Sequence, residues 1–294
     1  MRIWTRSTWR SQTANFGFLY ACALAAAGCD GDGEEDEPTP MICPDFPDTT
    51  GTGGWDEAED DGTDETGDDD AETSRFRVVH LGIHAPEVDL FLNGGEYADI
   101  EGLPFRWSTP YVSLPADSYT FDVTLAGDTI DASLVPAVPV NLENGGLYTL
   151  AFVGNRLTPG TAGTPDAGAP EMLVLKDEEQ STGEGVRLRL VHAASSLGMV
   201  DLYVVSDPAV PILLADALEY RASRLRQLGP GAHQLGVDTD GDAVMELVFA
   251  ADLTAMDLSA GTFLNLFVSD DEEGNVGLLA QLADGVTLPL PLSP

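Results

Sequence analysis

Apolar residues in this chain come in short runs or alternate with polar ones, and seldom follow the three-and-four spacing of an amphipathic helix. Residues 76–81, 88–92, 119–125, 147–153 and 172–175 form one such series. Residues 186–192, 200–205, 244–249, 263–268 and 276–282 form a second. Turn-forming residues punctuate both series, at Asn93-Gly94-Gly95, Gly127-Asp128, Asn144-Gly145-Gly146, Pro230-Gly231, Asp240-Gly241 and Glu273-Gly274-Asn275. Short runs bounded in this way predict β-strands, and their spacing predicts an all-β chain of antiparallel sandwiches.

The two series repeat one another. Arg77-Val78-Val79-His80 is followed nine residues past the His by Asp89, within Val88-Asp89-Leu90-Phe91. Arg189-Leu190-Val191-His192 is followed at the same interval by Asp201, within Val200-Asp201-Leu202-Tyr203. Further on, Leu103-Pro104-Phe105-Arg106 answers Leu218-Glu219-Tyr220-Arg221, and Leu142-Glu143-Asn144-Gly145-Gly146 answers Leu258-Ser259-Ala260-Gly261-Thr262. One order of motifs in both stretches predicts two whole domains, 75–180 and 186–294. The polar link at 177–185 is short, which predicts domains placed end to end with limited freedom.

The chain ahead of them is of another kind. Arg2, Arg6 and Arg10 precede an apolar run at 16–28 that ends in small residues, the form of an export signal over 1–29. The run is short for a bilayer span, which takes ~20 apolar residues. Ala26-Ala27-Gly28-Cys29 resembles the bacterial lipobox, although Ala26 stands where Leu is usual. That resemblance implies acylation of Cys29, which becomes the N-terminus; the competing reading is an ordinary secretory signal. Cys22, close behind the bulky Tyr20, is the weaker candidate for acylation. Several acyl chains on one residue give lasting attachment where one gives only marginal binding.

Residues 30–74 hold 19 Asp and Glu and no Lys or Arg. Such a tract buries too little apolar surface to offset its ordering entropy, so it predicts a disordered acidic tether with a span of roughly 40 Å. Residues 75–294 keep ten Lys and Arg against 31 Asp and Glu, a net −21, which disfavours nucleic acid as a partner. The three Cys are 22, 29 and 43, so the folded part holds by burial without disulfides.

Arg-Val-Val-His at 77–80, Ala85-Pro86, Val88-Asp89, Leu114-Pro115-Ala116 and Tyr119 together resemble the bacterial domain of unknown function 4397. In the second stretch Arg189, His192, Ala193, Val200, Asp201, Tyr203 and Gly231 match, while Leu197-Gly198 replaces Ala-Pro. The resemblance implies tandem immunoglobulin- or transthyretin-like sandwiches on exported, lipid-anchored proteins. It carries no catalytic role.

His80 and His192 close strands on their inward face, and Asp89 and Asp201 open the next strand. The two could meet at the strand ends, with the imidazole bonded to the carboxylate or to the intervening loop. That arrangement is a buried polar staple, since one His and one Asp per domain are too few for zinc. His84 could add a third ligand, but Ser196 holds its place in the second domain. Asp238, Asp240 and Asp242 resemble the start of a calcium loop, yet Ala243 and Phe249 stand where Gly and Glu belong, so a hairpin turn is expected. Asp270-Asp271-Glu272-Glu273 reads as a solvated turn, and Ser195-Ser196 lacks a nucleophile elbow. Trp107 and Tyr111 are candidate ligand-loop aromatics, and the segment 160–170 is a candidate recognition tip.

The expectation is therefore a non-enzymatic envelope protein without cofactors, anchored by lipid at the outer membrane, the periplasmic face or the cell surface. Its role is structural or adhesive. The expected partners are the membrane, through the lipid, and an envelope glycan or protein. The alternative is a module that binds an envelope glycan or peptide through loops at one sandwich end; a hydrolase is the third reading.

Overall fold

The computed structural model describes residues 72–293 apart from 97, 159–167, 179–182 and 208. The export signal, Cys29, Cys43 and the acidic tract up to residue 71 lie outside the described residues.

The first half holds β1 (Thr73–His80), β2 (Glu87–Leu92), β3 (Ile100–Pro104), β4 (Val112–Pro115), β5 (Ser118–Leu125), β6 (Val135–Asn141), β7 (Leu147–Val153) and β8 (Glu171–Asp177). The second holds β9 (Val186–His192), β10 (Val200–Val204), β11 (Ile212–Leu218), β12 (Ser223–Leu228), β13 (Ala232–Asp238), β14 (Leu247–Asp252), β15 (Phe263–Asp270), β16 (Val276–Gln281) and β17 (Thr287–Pro289). The one helical element among the described residues is the 3-10 turn Ile130–Ala132. No helix among them is long and apolar enough to cross a membrane.

The described residues are all-β, as their alternation predicts. Sheet order is β4-β1-β7-β8 over β3-β2-β5-β6 in the first half, and β12-β9-β15-β16-β17 over β11-β10-β13-β14 in the second. Strand for strand, one order serves both halves, with β17 added in the second. Sequence pattern alone predicts antiparallel sheets, but β1 runs parallel to β7, and β9 parallel to β15. Parallel neighbours need a long crossover, and the intervening strands of each half supply it.

Each sandwich has its own core. Phe76, Val78, Val88, Leu90, Phe121 and Leu150 meet in the first. Leu188, Leu190, Val200, Leu202, Leu235 and Leu264 meet in the second. All seven residues of β7 and all eight of β15 are buried, on both faces of the strand. The second face is covered by the other half. Val79, Ala151, Val153 and Leu173 of the first half pack against Val191, Phe267 and Leu279 of the second. The halves therefore sit back to back within one compact unit, where the short link predicts an end-to-end arrangement. Apolar residues on the outward faces of β1, β7, β9 and β15 decide this, because leaving them in water would cost about 25 cal/mol per Å².

A polar cluster lies inside this seam. Arg77 faces Thr149 across β1 and β7, and Arg189 faces Asn265 across β9 and β15. Both arginines reach one carboxylate: Arg77 Nη2 donates to Asp177 Oδ2 at 3.2 Å, and Arg189 Nη1 donates to Asp177 Oδ1 at 2.8 Å. Tyr111 O–H donates to Oδ2 at 2.6 Å, and Asn265 Nδ2 to Oδ1 at 3.2 Å. Thr149 O–H also donates to Asp177, while receiving Arg77 Nε at 2.9 Å. The Arg77 guanidinium lies 4.6 Å from the Tyr111 ring centroid, a cation–π contact. Burial pushes the Arg189 pKa down and that of the Tyr111 hydroxyl up. Asp177 therefore stays satisfied on both oxygens, the condition under which a buried ion pair is tolerated.

Residues flanking the seam clasp it. Arg221, beyond β11, pairs with Glu171 of β8 at 2.7 Å. Thr287 of β17 donates its hydroxyl to the Arg106 carbonyl at 2.7 Å. Removing Asp177 leaves two guanidinium groups buried without their anion, so Asp177→Ala is expected to lower stability by about 3–5 kcal/mol. Because the seam is shared, urea unfolding of the full-length chain should show one transition, read alike by near-UV and far-UV circular dichroism. Two separated transitions in the native chain would show that the halves fold independently.

Candidate functional site

The repeated Arg-x-x-His motif does two jobs in each half. Its Arg goes to the seam, and its His shapes the loop that follows. His80 Nε2 lies 2.6 Å from the Ala85 carbonyl, and Gly82 N–H donates to Nδ1 at 3.2 Å. Nδ1 is thereby an acceptor, so the proton sits on Nε2 and the ring is neutral. His192 repeats this with the Gly198 carbonyl at 2.6 Å and Ala194 N–H at 3.3 Å. Phe105 meets His80 edge-on at 5.6 Å, and Tyr220 meets His192 edge-on at 5.8 Å. The chain can pass this close only where the side chain is absent: a Cβ on Gly82 would lie 2.3 Å from the Phe152 ring.

Asp89 does not join His80. Its Oδ1 accepts Gly102 N–H at 2.6 Å and its Oδ2 accepts Gly127 N–H at 2.8 Å. Asp201 likewise accepts Ala217 N–H at 2.6 Å. Gly102 and Ala217 both have positive φ, at 62° and 44°, where β3 and β11 slip register against β2 and β10. His80 points into the core, whereas Asp89 faces outward from the opposite sheet, so a layer of structure separates them. Of the two expected arrangements the imidazole takes the intervening loop and not the carboxylate, so each half has two staples: a histidine for the loop and an aspartate for the bulge.

The two pinned loops carry residues of matching position into one cleft of about 190 Å³. Ile83 and His84 line it from the first half, and Ser195 and Ser196 from the second. Asn155 and Thr158 after β7, and Glu272 and Glu273 after β15, form the other walls. Beneath it Asp270 is buried at 2% exposure, although the sequence reads this run as a solvated turn. Ser195 O–H donates to Asp270 Oδ2 at 3.3 Å, and Ser196 O–H donates to Oδ1. Asp271 closes the turn itself by accepting Asn275 N–H at 2.7 Å and Glu273 N–H at 3.0 Å. His192, three residues before Ser195, has both ring nitrogens bonded to backbone, so no imidazole–hydroxyl pair forms there.

The remaining candidates fall elsewhere. Tyr111 is turned inward onto Asp177 and is not a ligand-loop aromatic. Trp107 is 40% exposed, and its carbonyl accepts His80 N–H at 3.0 Å. In the acidic loop, Asp238 is fully buried and accepts Gly241 N–H at 2.7 Å and Ala243 N–H at 2.8 Å. Burial raises its pKa, but these and the neighbouring backbone N–H groups outweigh it and hold the carboxyl below its usual range. The carboxylates of Asp238, Asp240, Asp242 and Glu246 lie within 4.8 Å of one another, so these four could hold a metal ion. Glu246 is legible only as an acid four residues past Asp242. It anchors Thr239 N–H at 2.7 Å and so delays β14 to Leu247, where the sequence places a strand at 244–249.

Burial lowers the His80 pKa to about 4, against the opposing hydrogen bond to Ala85, and lowers that of His192 in the same way. A histidine held neutral in the fold contributes stability above its unfolded pKa of 6.5, and loses it as pH falls toward the folded value. From pH 7.5 to pH 5 His80 alone should remove about 2 kcal/mol, and urea midpoints of His80→Ala should show a correspondingly flatter pH profile.

No curated protein matches the chain. Among solved structures, the Bacillus anthracis TIE protein is 9% identical over 76% of this chain and 45% of its own, with a TM-score of 0.21. The chain thus spans under half of that structure's length, and a likeness of this size carries no argument about fold or function. Residues 74–203, which run from β1 through both motif histidines to β10, match the family model described as Domain of unknown function (DUF4397).

Proposed function

We propose that the chain is a non-catalytic cell-envelope protein, exported and held by lipid on Cys29, whose acidic tract lifts two copies of one domain away from the membrane. The reading rests on one observation above the rest. The second half has the strand order of the first, and its Arg189, His192, Asp201 and Tyr220 stand where Arg77, His80, Asp89 and Phe105 stand. A duplicated body welded through a buried seam, at the end of a self-repelling tract that follows an apolar run and a Cys, suits load-bearing or adhesive display. The net −21 of residues 75–294 points away from nucleic acid, and the partner in this reading is an envelope glycan or protein.

A second reading is favoured by the cleft. Equivalent loops of the two halves line it together, so it belongs to neither half alone. That arrangement suits a recognition module working through sandwich-end loops.

Protease shaving of intact cells, followed by mass analysis of the N-terminal peptide, tests the anchored reading. The expected result is cleavage within residues 30–71, release of the folded body, and a retained peptide that begins at Cys29 and carries acyl mass. An unmodified N-terminus would remove the anchor from the proposal.

A further inference from the structure

We propose that the seam cleft binds a primary ammonium group placed next to a hydroxyl or carbonyl, as in an amino sugar or a peptide N-terminus. The inference deepens the recognition reading and rests on it.

The argument is a count of donors and acceptors. A serine hydroxyl has one proton to give. Ser195 and Ser196 both give theirs downward to the buried Asp270. Their oxygens are left with acceptor lone pairs alone. Ser196 N–H is also turned to Asp270, at 3.3 Å. Glu272 and Glu273 are exposed carboxylates on the same cleft, acceptors only when ionised. Among the described residues no Lys or Arg lines it, and nearby Arg156 directs its guanidinium to the His84 carbonyl at 3.2 Å. His84 and Thr158 add a ring N–H and a hydroxyl proton, but the two serine oxygens and the two carboxylates leave the wall richer in acceptors and in negative charge, which calls for a ligand that brings protons and positive charge. An ammonium has three donors and no acceptor. Asn155 supplies the complement. Its oxygen accepts Leu157 N–H at 2.9 Å, so its NH₂ is left to donate to a neighbouring hydroxyl or carbonyl. A cleft of about 190 Å³ admits one sugar ring or one residue, and little more. Carboxylate or phosphate ligands are disfavoured by the same charges.

The test uses the full-length chain in neutral detergent and backbone amide NMR spectra. The probes are glucosamine and alanine amide, each paired with its N-acetylated form, and calcium chloride. The expected result is a saturable shift of residues 83–84, 195–196 and 272–274 with at least one amine below about 10 mM, and binding at least tenfold weaker for its acetylated form. Glucosamine alone would assign the amine to a sugar, and alanine amide alone to a peptide. The double variant E272Q/E273Q, at exposed positions, should abolish the shift and leave the rest of the spectrum in place; S196A should weaken it. Equal binding of acetylated and free forms, no saturable shift with either amine, or tighter binding of calcium at the same residues would each overturn the proposal. If the amines fail while E272Q/E273Q still reduces adhesion of whole cells, the recognition reading survives and only the ammonium falls.

Discussion

The Asp177 carboxylate receives both motif arginines and is the constraint on which the body depends. Arg77 and Arg189 come from corresponding strands of the two halves and meet on one anion. An unpaired guanidinium at this depth would be expelled to water, and with it the strand that carries it. With Tyr111, Thr149 and Asn265 completing its shell, the Asp177 carboxylate is satisfied on both oxygens, and the seam can also be apolar around its rim. Two sandwiches of modest size thereby share a third core. This matters for a chain without disulfides in its folded part, because burial is then the main source of stability.

The loops beyond the seam are set by it as well. With the arginines spent on locking the halves, the histidines four residues into each motif are left to set the loops beyond. His80 and His192 hold those loops by backbone bonds alone, so the loop side chains stay available. Ile83 and His84 on one side, Ser195 and Ser196 on the other, then face one another because the lock fixes the register of the halves. The two halves differ at this cleft: His84 and Ser196 occupy the same place in the motif. The strand order is common to the two halves, and the loops that line the cleft are not.

Some strands escaped the sequence for identifiable reasons. β12 has no apolar alternation, because it is an edge strand whose Arg224, Leu225, Arg226 and Gln227 are all exposed. β6 carries Pro136 and Pro139, which argue against a central strand but are tolerated at the sheet edge it occupies. β14 starts later than its pattern predicts, because Val244 and Met245 look like strand residues. The acidic loop built around Asp238 holds them out of the sheet.

The sequence by itself determined the local elements: period-two runs and Gly-rich turns are enough to make strands, and a repeated motif is enough to make them twice. It also placed His80 and His192 on inward faces, since parity along a strand is a local property. What it left open was every contact between elements distant in the chain. That Asp177 would pair with Arg77 and Arg189, that Asp89 would bond Gly102 and Gly127, and that Asp270 would be buried under Ser195 and Ser196 depends on how sheets stack. Stacking is chosen by the summed apolar area of whole faces, a quantity that short-range pattern does not contain.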